Sequence, residues 1–227
     1  MKATDAVSAK MIEVTVRRSV ASRFHGVYWQ PPKEEIQRPA IFVPNHHGWF
    51  DGYIMYLALH QLGIPTVSWI QEFEAFPIFV RAGGLPFPLE SASQRAATIR
   101  KTVRLMLTER CSLLLFAEGV VHYPPDLLPF NGALEFMANR IPGVQVIPVG
   151  IHYELAPHER PEAFVTFGSP LEPGEDIAEQ TRTAVGALLK KTRRTVRESF
   201  SDFEHLVEGT PDGNEKQNLR RHFRWRH

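Results

Sequence analysis

The chain has 227 residues, 43% of them hydrophobic and 22% charged, with a formal net charge of +1. That balance suits a globular protein with one sizeable α/β domain; it excludes a largely disordered chain and makes no case for nucleic acid as a partner. The single cysteine, Cys111, excludes an internal disulfide framework and fits a reducing compartment.

The first residues, MKATDAVSAKM, hold no apolar core of signal-peptide length. No stretch reaches the roughly 20 apolar residues that span a bilayer, so the chain reads as soluble or peripheral, and cytoplasmic. From Met11 to Phe24 two periods compete. Ile12, Val14 and Val16 alternate as in a strand, while Ile12, Val16, Val20 and Phe24 recur every fourth residue as in a helix. The reading takes the helix, over about 8–24. Its Arg17, Arg18 and Arg23 either meet anionic headgroups or lie on the solvated side of a helix capping the core.

PPKEEIQRP reads as a loop, PAIFVPN as a buried strand and FDGYIMYLALHQL as a helix. PTVSWI reads as a second strand. EFEAFPIFVRAGG is partly helical, limited by Pro77 and ended by Gly83 and Gly84. Ser91 to Leu107 is a helix with serines suited to capping and Ile99, Val103 and Leu107 on one face. CSLLLFAEG is a buried strand running into a turn, with Cys111 a buried residue rather than a reactive thiol. FNGALEFMANR is a short helix, VQVIPVGIHYEL one or two strands, and AFVTFG another. From Glu175 to about Val207 a long helix is expected, with Val185, Leu189, Val196, Phe200 and Phe203 as its apolar stripe. Alternating strands and helices predict an α/β fold with a mixed, largely parallel central sheet flanked by helices. The division is a single domain over 1–209 and a basic tail over 210–227.

The chemistry concentrates in NHHGWFD, Asn45 to Asp51, between a strand and a helix. Loops at the carboxyl ends of strands are where α/β proteins bind ligands. A histidine there, with an unperturbed pKa of about 6.5, suits general-base work. Asp51, five residues after His46, returns to the same side of the loop-to-helix turn. There it holds the imidazole tautomer and stabilises the imidazolium. No protein nucleophile is needed if the substrate supplies its own hydroxyl. On spacing alone, a structural loop histidine and a helix N-terminal acid fit as well. A metal cluster of His46, His47, Asp51 and His122 lacks the spacing of a known zinc site, and no metal is expected.

NHHGWFD resembles the N-H-x-x-x-x-D signature of the glycerolipid acyltransferases, which include the lysophosphatidic acid acyltransferases. FAEG (Phe116 to Gly119) is similar to that family's F-x-E-G block, VIPVG (Val146 to Gly150) to its apolar block around a proline, and FPIFVRAGG lies where its second block falls. Order and intervals agree over roughly residues 20 to 155. The resemblance implies a glycerol-3-phosphate acyltransferase-like fold and transfer of a fatty acyl group from acyl-CoA or acyl carrier protein to a lipid hydroxyl. It makes His46 the base and Asp51 its orienting partner. Asn45 would position the loop, Glu118 and Gly119 would shape the acceptor pocket, and Pro148 would build the wall beneath. No cofactor is implied, because the thioester is a substrate.

Two departures bear on the acceptor. The third block continues EGVV, with Val120 and Val121 where the family has E-G-T-R or E-G-T-S, and Leu89 stands near the place of a phosphate-gripping arginine. Valine and leucine offer a phosphate no contact, which favours an acceptor without one: a glycolipid, a lipid alcohol or a terpenoid alcohol. Arg81 and Arg95 are the candidates to replace the missing cations. The ending LRRHFRWRH interleaves Arg220, Arg221, Arg224 and Arg226 with Phe223 and Trp225, which suits an anionic membrane surface better than nucleic acid. Phospholipid acylation, thioester hydrolysis and lipid binding without turnover are the competing functions.

Overall fold

The computed structural model describes residues 3–75, 77–155 and 157–217. Helix α1 (Ala3–Arg23) and the residue that follows it bury Ile12, Val16, Val20 and Phe24, the four-residue period read from the sequence. Burying each such side chain stabilises by roughly 1.5–3 kcal/mol, which settles the helix over the strand. Arg17 is tied to Glu13 and to the Leu206 carbonyl. The strands are β1 (Gly26–Gln30), β2 (Ala40–Pro44), β3 (Thr66–Ile70), β4 (Gly84–Pro86), β5 (Ser112–Leu114), β6 (Gln145–Glu154), β7 (Glu162–Phe167) and β8 (Glu204–Glu208). They form one sheet in the order β4-β3-β5-β2-β6-β7-β1-β8. β4, β3, β5, β2 and β6 are mutually parallel, β7 runs antiparallel to β6, β1 is parallel to β7, and β8 closes the edge antiparallel to β1. The expected mixed, largely parallel sheet is what is found.

Side chains alternate along each strand and feed two cores. Phe42, Ile147, Val149 and Ile151 pack with α1 and α2 (Asp51–Gln61) on one face. Ile41, Val43, Leu113 and Val146 pack on the other with α4 (Ala92–Glu109), α5 (Ala133–Arg140) and α6 (Ile177–Glu198). A 3-10 turn (Phe73–Ala75) and the short α3 (Pro77–Arg81) lie between β3 and β4, and α7 (Gly213–Gln217) follows β8.

Three expectations are corrected. Helix α4 begins as read, with Ser91 Oγ accepting the Gln94 N–H at 3.4 Å, and Ile99 and Val103 pack half-buried against the core, but its fully buried face is Thr98, Thr102 and Met106. Leu107 is 52% exposed. The threonine hydroxyls are satisfied at the Pro86 and Thr98 carbonyls, so polar residues occupy a face that an apolar count misses. The expected helix to Val207 stops at Glu198. Phe203, Leu206 and Val207 turn away to be buried beside β1, where strand pairing covers the open edge of the sheet. Strand β1 was not anticipated; GVYWQ is too short to signal alone and gains its backbone partners from β7 and β8.

The proposed tail start is also placed. Thr210 bonds to the Phe24 and Ala21 carbonyls, and Asp212 to His158. The aromatic and basic residues from 218 to 227 lie outside the described residues.

Candidate active site

Asn45 to Phe50 leave the carboxyl end of β2, at the middle of the sheet. Asn45 is fully buried and fastens this loop to β6: its Oδ1 accepts the Ile151 N–H at 2.7 Å and its Nδ2 donates to the Ile151 carbonyl at 3.0 Å. The other Nδ2 hydrogen goes to His47 Nδ1, so His47 donates from Nε2 to the Asp126 carbonyl at 3.1 Å. Burial pushes the His47 imidazole below the ordinary histidine range, consistent with this neutral tautomer.

The chain then turns so that Asp51, the first residue of α2, comes back to His46. Nδ1 of His46 lies 3.0 Å from Asp51 Oδ2. The Gly48 N–H donates to the same oxygen at 2.9 Å, and the Tyr153 hydroxyl donates to Oδ1. Asp51 has no exposed surface, so its charge rests on these three donors and on the amino end of α2. Burial first, then the Asp51 charge, holds the Tyr153 phenol well above its usual range, which keeps it a donor. The turn needs a glycine: a Cβ on Gly48 would sit 2.7 Å from the Tyr153 ring. The His46 ring stacks on Phe116, centroids 4.1 Å apart. With Nδ1 committed to Asp51, Nε2 presents its lone pair on the side of the ring away from the carboxylate.

Glu118 lies behind the loop rather than in the open site. Its buried carboxylate accepts the His46 N–H at 2.7 Å and the Leu128 N–H at 2.8 Å, and bonds to His122 Nε2. It thereby joins the His46 loop to two later turns. Gly119 takes φ of 79°, a left-handed conformation that glycine adopts freely, and its carbonyl accepts from Gln71. His47, Glu118 and His122 offer ligand atoms within 4.8 Å of one another, and each also takes part in hydrogen bonds of the loop.

His46 opens on a groove of about 950 Å³ between α2, β3 and α3, at the upper end of the roughly 300–1,000 Å³ usual for ligand sites. Tyr53, Tyr56, Ile70, Phe79, Phe116, Val120 and Val121 make it mainly apolar, and Gly119 and Arg81 also line it. Pro148 does not. It lies in β6, paired with Val43, with its side chain on the α6 face. Its missing N–H falls opposite Gly168, just past the end of β7, where a Cβ would come within 2.9 Å of the proline ring. Leu89 is 60% exposed and outside the groove lining, and Arg95 is spent on the Pro88 and Leu89 carbonyls. Among the described residues Arg81 is thus the one lysine or arginine on the groove wall. Cys111 is buried, which raises its thiol and keeps it unreactive. Tyr153 is the participant that sequence reasoning missed. Its only signal was a position at the carboxyl end of a strand, on the same face as Ile151.

Among the described residues no helix is long and apolar enough to cross a membrane. No curated protein matches the chain. Among solved structures it is similar to the 1-acyl-sn-glycerophosphate (LPA) acyltransferase PlsC from Thermotoga maritima. The TM-score is 0.56 at 20% identity, covering 87% of this chain and 84% of that one, a likeness of fold. The sequence model of the Acyltransferase family matches residues 22–152, more than half of the chain and the stretch that carries both His46 and Asp51. The chain belongs to the acyltransferase family.

Proposed function

We propose that this acyltransferase moves a fatty acyl group from a thioester, acyl-CoA or an acyl carrier protein, to the hydroxyl of a lipid, with His46 as general base. The observation that carries the reading is His46 on the wall of an apolar groove, paired at 3.0 Å with the buried Asp51 behind it. Nε2 takes the proton of the acceptor hydroxyl as its oxygen attacks the thioester carbonyl. Asp51 holds the tautomer and balances the imidazolium. The carbon–sulfur bond then breaks, and the proton passes from His46 to the departing thiolate. The lipid acceptor and the basic aromatic ending suit work at the inner, cytoplasmic surface of a membrane as a peripheral protein.

The groove's polarity favours an acceptor without a phosphate, since Val120 and Val121 stand where cationic or hydroxyl groups would grip one. A lysophospholipid acceptor is the second reading, favoured by Arg81 on the groove wall and by the similarity to an LPA acyltransferase. Thiol release from palmitoyl-CoA tests both. Release that requires lysophosphatidic acid supports the second; a response to total lipid extract but not to that acceptor supports the first. Release without any acceptor indicates a hydrolase. His46→Ala is expected to lower turnover by about 10²–10⁴. Retained turnover in that variant overturns the mechanism.

A further inference from the structure

Behind the catalytic loop, on the face opposite the apolar groove, a second cavity of about 350 Å³ lies between α6 and the carboxyl end of β6. Its character differs from the groove's. Leu189, Arg193 and Arg197 recur every fourth residue, so one stripe of α6 faces it. From the other side come His47, His152 and Tyr153. Arg193 is half-buried and Arg197 exposed, and among the described residues neither has a carboxylate within ion-pair distance. The arginine between them in sequence, Arg194, is 70% exposed and pairs with Glu198 at 3.8 Å. Glu154 lies 3.8 Å from His152 Nε2, and Asp51 accepts from the Tyr153 hydroxyl.

Two guanidinium groups one helical turn apart repel each other, and neither is neutralised within the described chain. Their forks supply donors to a recess that the His152 imidazole also lines, the donor set that recognises a phosphate group. Burial first, then the Arg193 charge, pushes the His152 imidazole below the ordinary histidine range, against the opposing pull of Glu154. We propose that this cavity is a phosphate-binding site in which Arg193 and Arg197 take a phosphate monoester against His152. Such a group comes with a nucleotide-bearing thioester or with an anionic lipid headgroup. The inference concerns binding alone and holds whether or not His46 acts as a base.

Calorimetric titration with inorganic phosphate and with adenosine 3′,5′-bisphosphate, and co-sedimentation with phosphatidylcholine vesicles with and without phosphatidic acid, test it. Circular dichroism confirms folding of each variant. Wild-type protein is expected to bind at least one phosphate probe, and Arg193→Gln and Arg197→Gln each to weaken it about tenfold, as loss of a charge-assisted bond predicts. Arg194→Gln, outside the cavity, leaves binding unchanged. Binding confined to the soluble probes assigns the site to a nucleotide, and binding confined to phosphatidic acid vesicles assigns it to a headgroup. Absence of binding by every probe overturns the proposal. So does a Kd unchanged in the double variant, or raised equally by Arg194→Gln.

Discussion

Replacing Tyr153 with phenylalanine removes one oxygen and nothing else from the site. The ring stays packed against Phe24, centroids 5.9 Å apart, and against Gly48, so no cavity of consequence opens. What disappears is the hydroxyl that donates to Asp51 Oδ1. Asp51 is fully buried and keeps only the His46 Nδ1 and Gly48 N–H contacts, both on Oδ2. A hydrogen bond to a buried charge contributes about 1.5–3 kcal/mol, and the orphaned oxygen cannot recover it from solvent. For a chain of this size, at about 2–4 °C per kcal/mol, that lowers the thermal midpoint by roughly 3–12 °C. The same energy sets a ceiling on the kinetic effect, so turnover falls by no more than about a hundredfold. Differential scanning calorimetry and the thiol-release assay read the two effects. A midpoint within about a degree of wild type refutes the argument that this bond sustains the buried carboxylate. A kinetic loss equal to that of His46→Ala refutes the supporting role of Tyr153.

Glu118→Gln keeps the shape but replaces one carboxylate oxygen by an NH₂ group that cannot accept from His46 N–H, Leu128 N–H or His122. A loss of about 1–3 kcal/mol in urea unfolding is expected, with the loop around His46 loosened; an unchanged midpoint would show that Glu118 does not hold it. Acidification also has a defined sign. Burial lowers the His47 and His152 imidazoles, so between their folded values and the unfolded one of about 6.5 the unfolded chain binds more protons. Their contribution to stability is intact above that pH and declines as pH falls below it. His152→Gln is therefore expected to lose less of its thermal midpoint than wild type between pH 7.5 and 5.5, and an equal or larger loss contradicts the assignment.

Local signals in the sequence reached a long way here. The four-residue period of Ile12, Val16, Val20 and Phe24 specified α1, because burial of a helix face repeats near that spacing. The apolar run of β2, closed by Pro44, placed NHHGWFD at a strand end. The five-residue interval from His46 to Asp51 fits a loop turning into a helix, and the structure brings the two side chains to 3.0 Å. Such readings succeed where a property is encoded by neighbours along the chain.

What only the tertiary structure decided involves partners far apart in sequence. Tyr153 reaches Asp51 across 102 positions, Asn45 reaches Ile151 across 106, and no local pattern carries either contact. Strand β8 overrode an apolar stripe that read as helix, because pairing with β1 satisfies its backbone and buries Leu206 and Val207 together. Pro148, set beneath the pocket by motif, fell on the far face because side chains alternate and only the sheet's layering says which face is which. The sequence determined which residues stand at the strand ends. The packed sheet determined which of them meet, since burial and hydrogen bonding act through space and not along the chain.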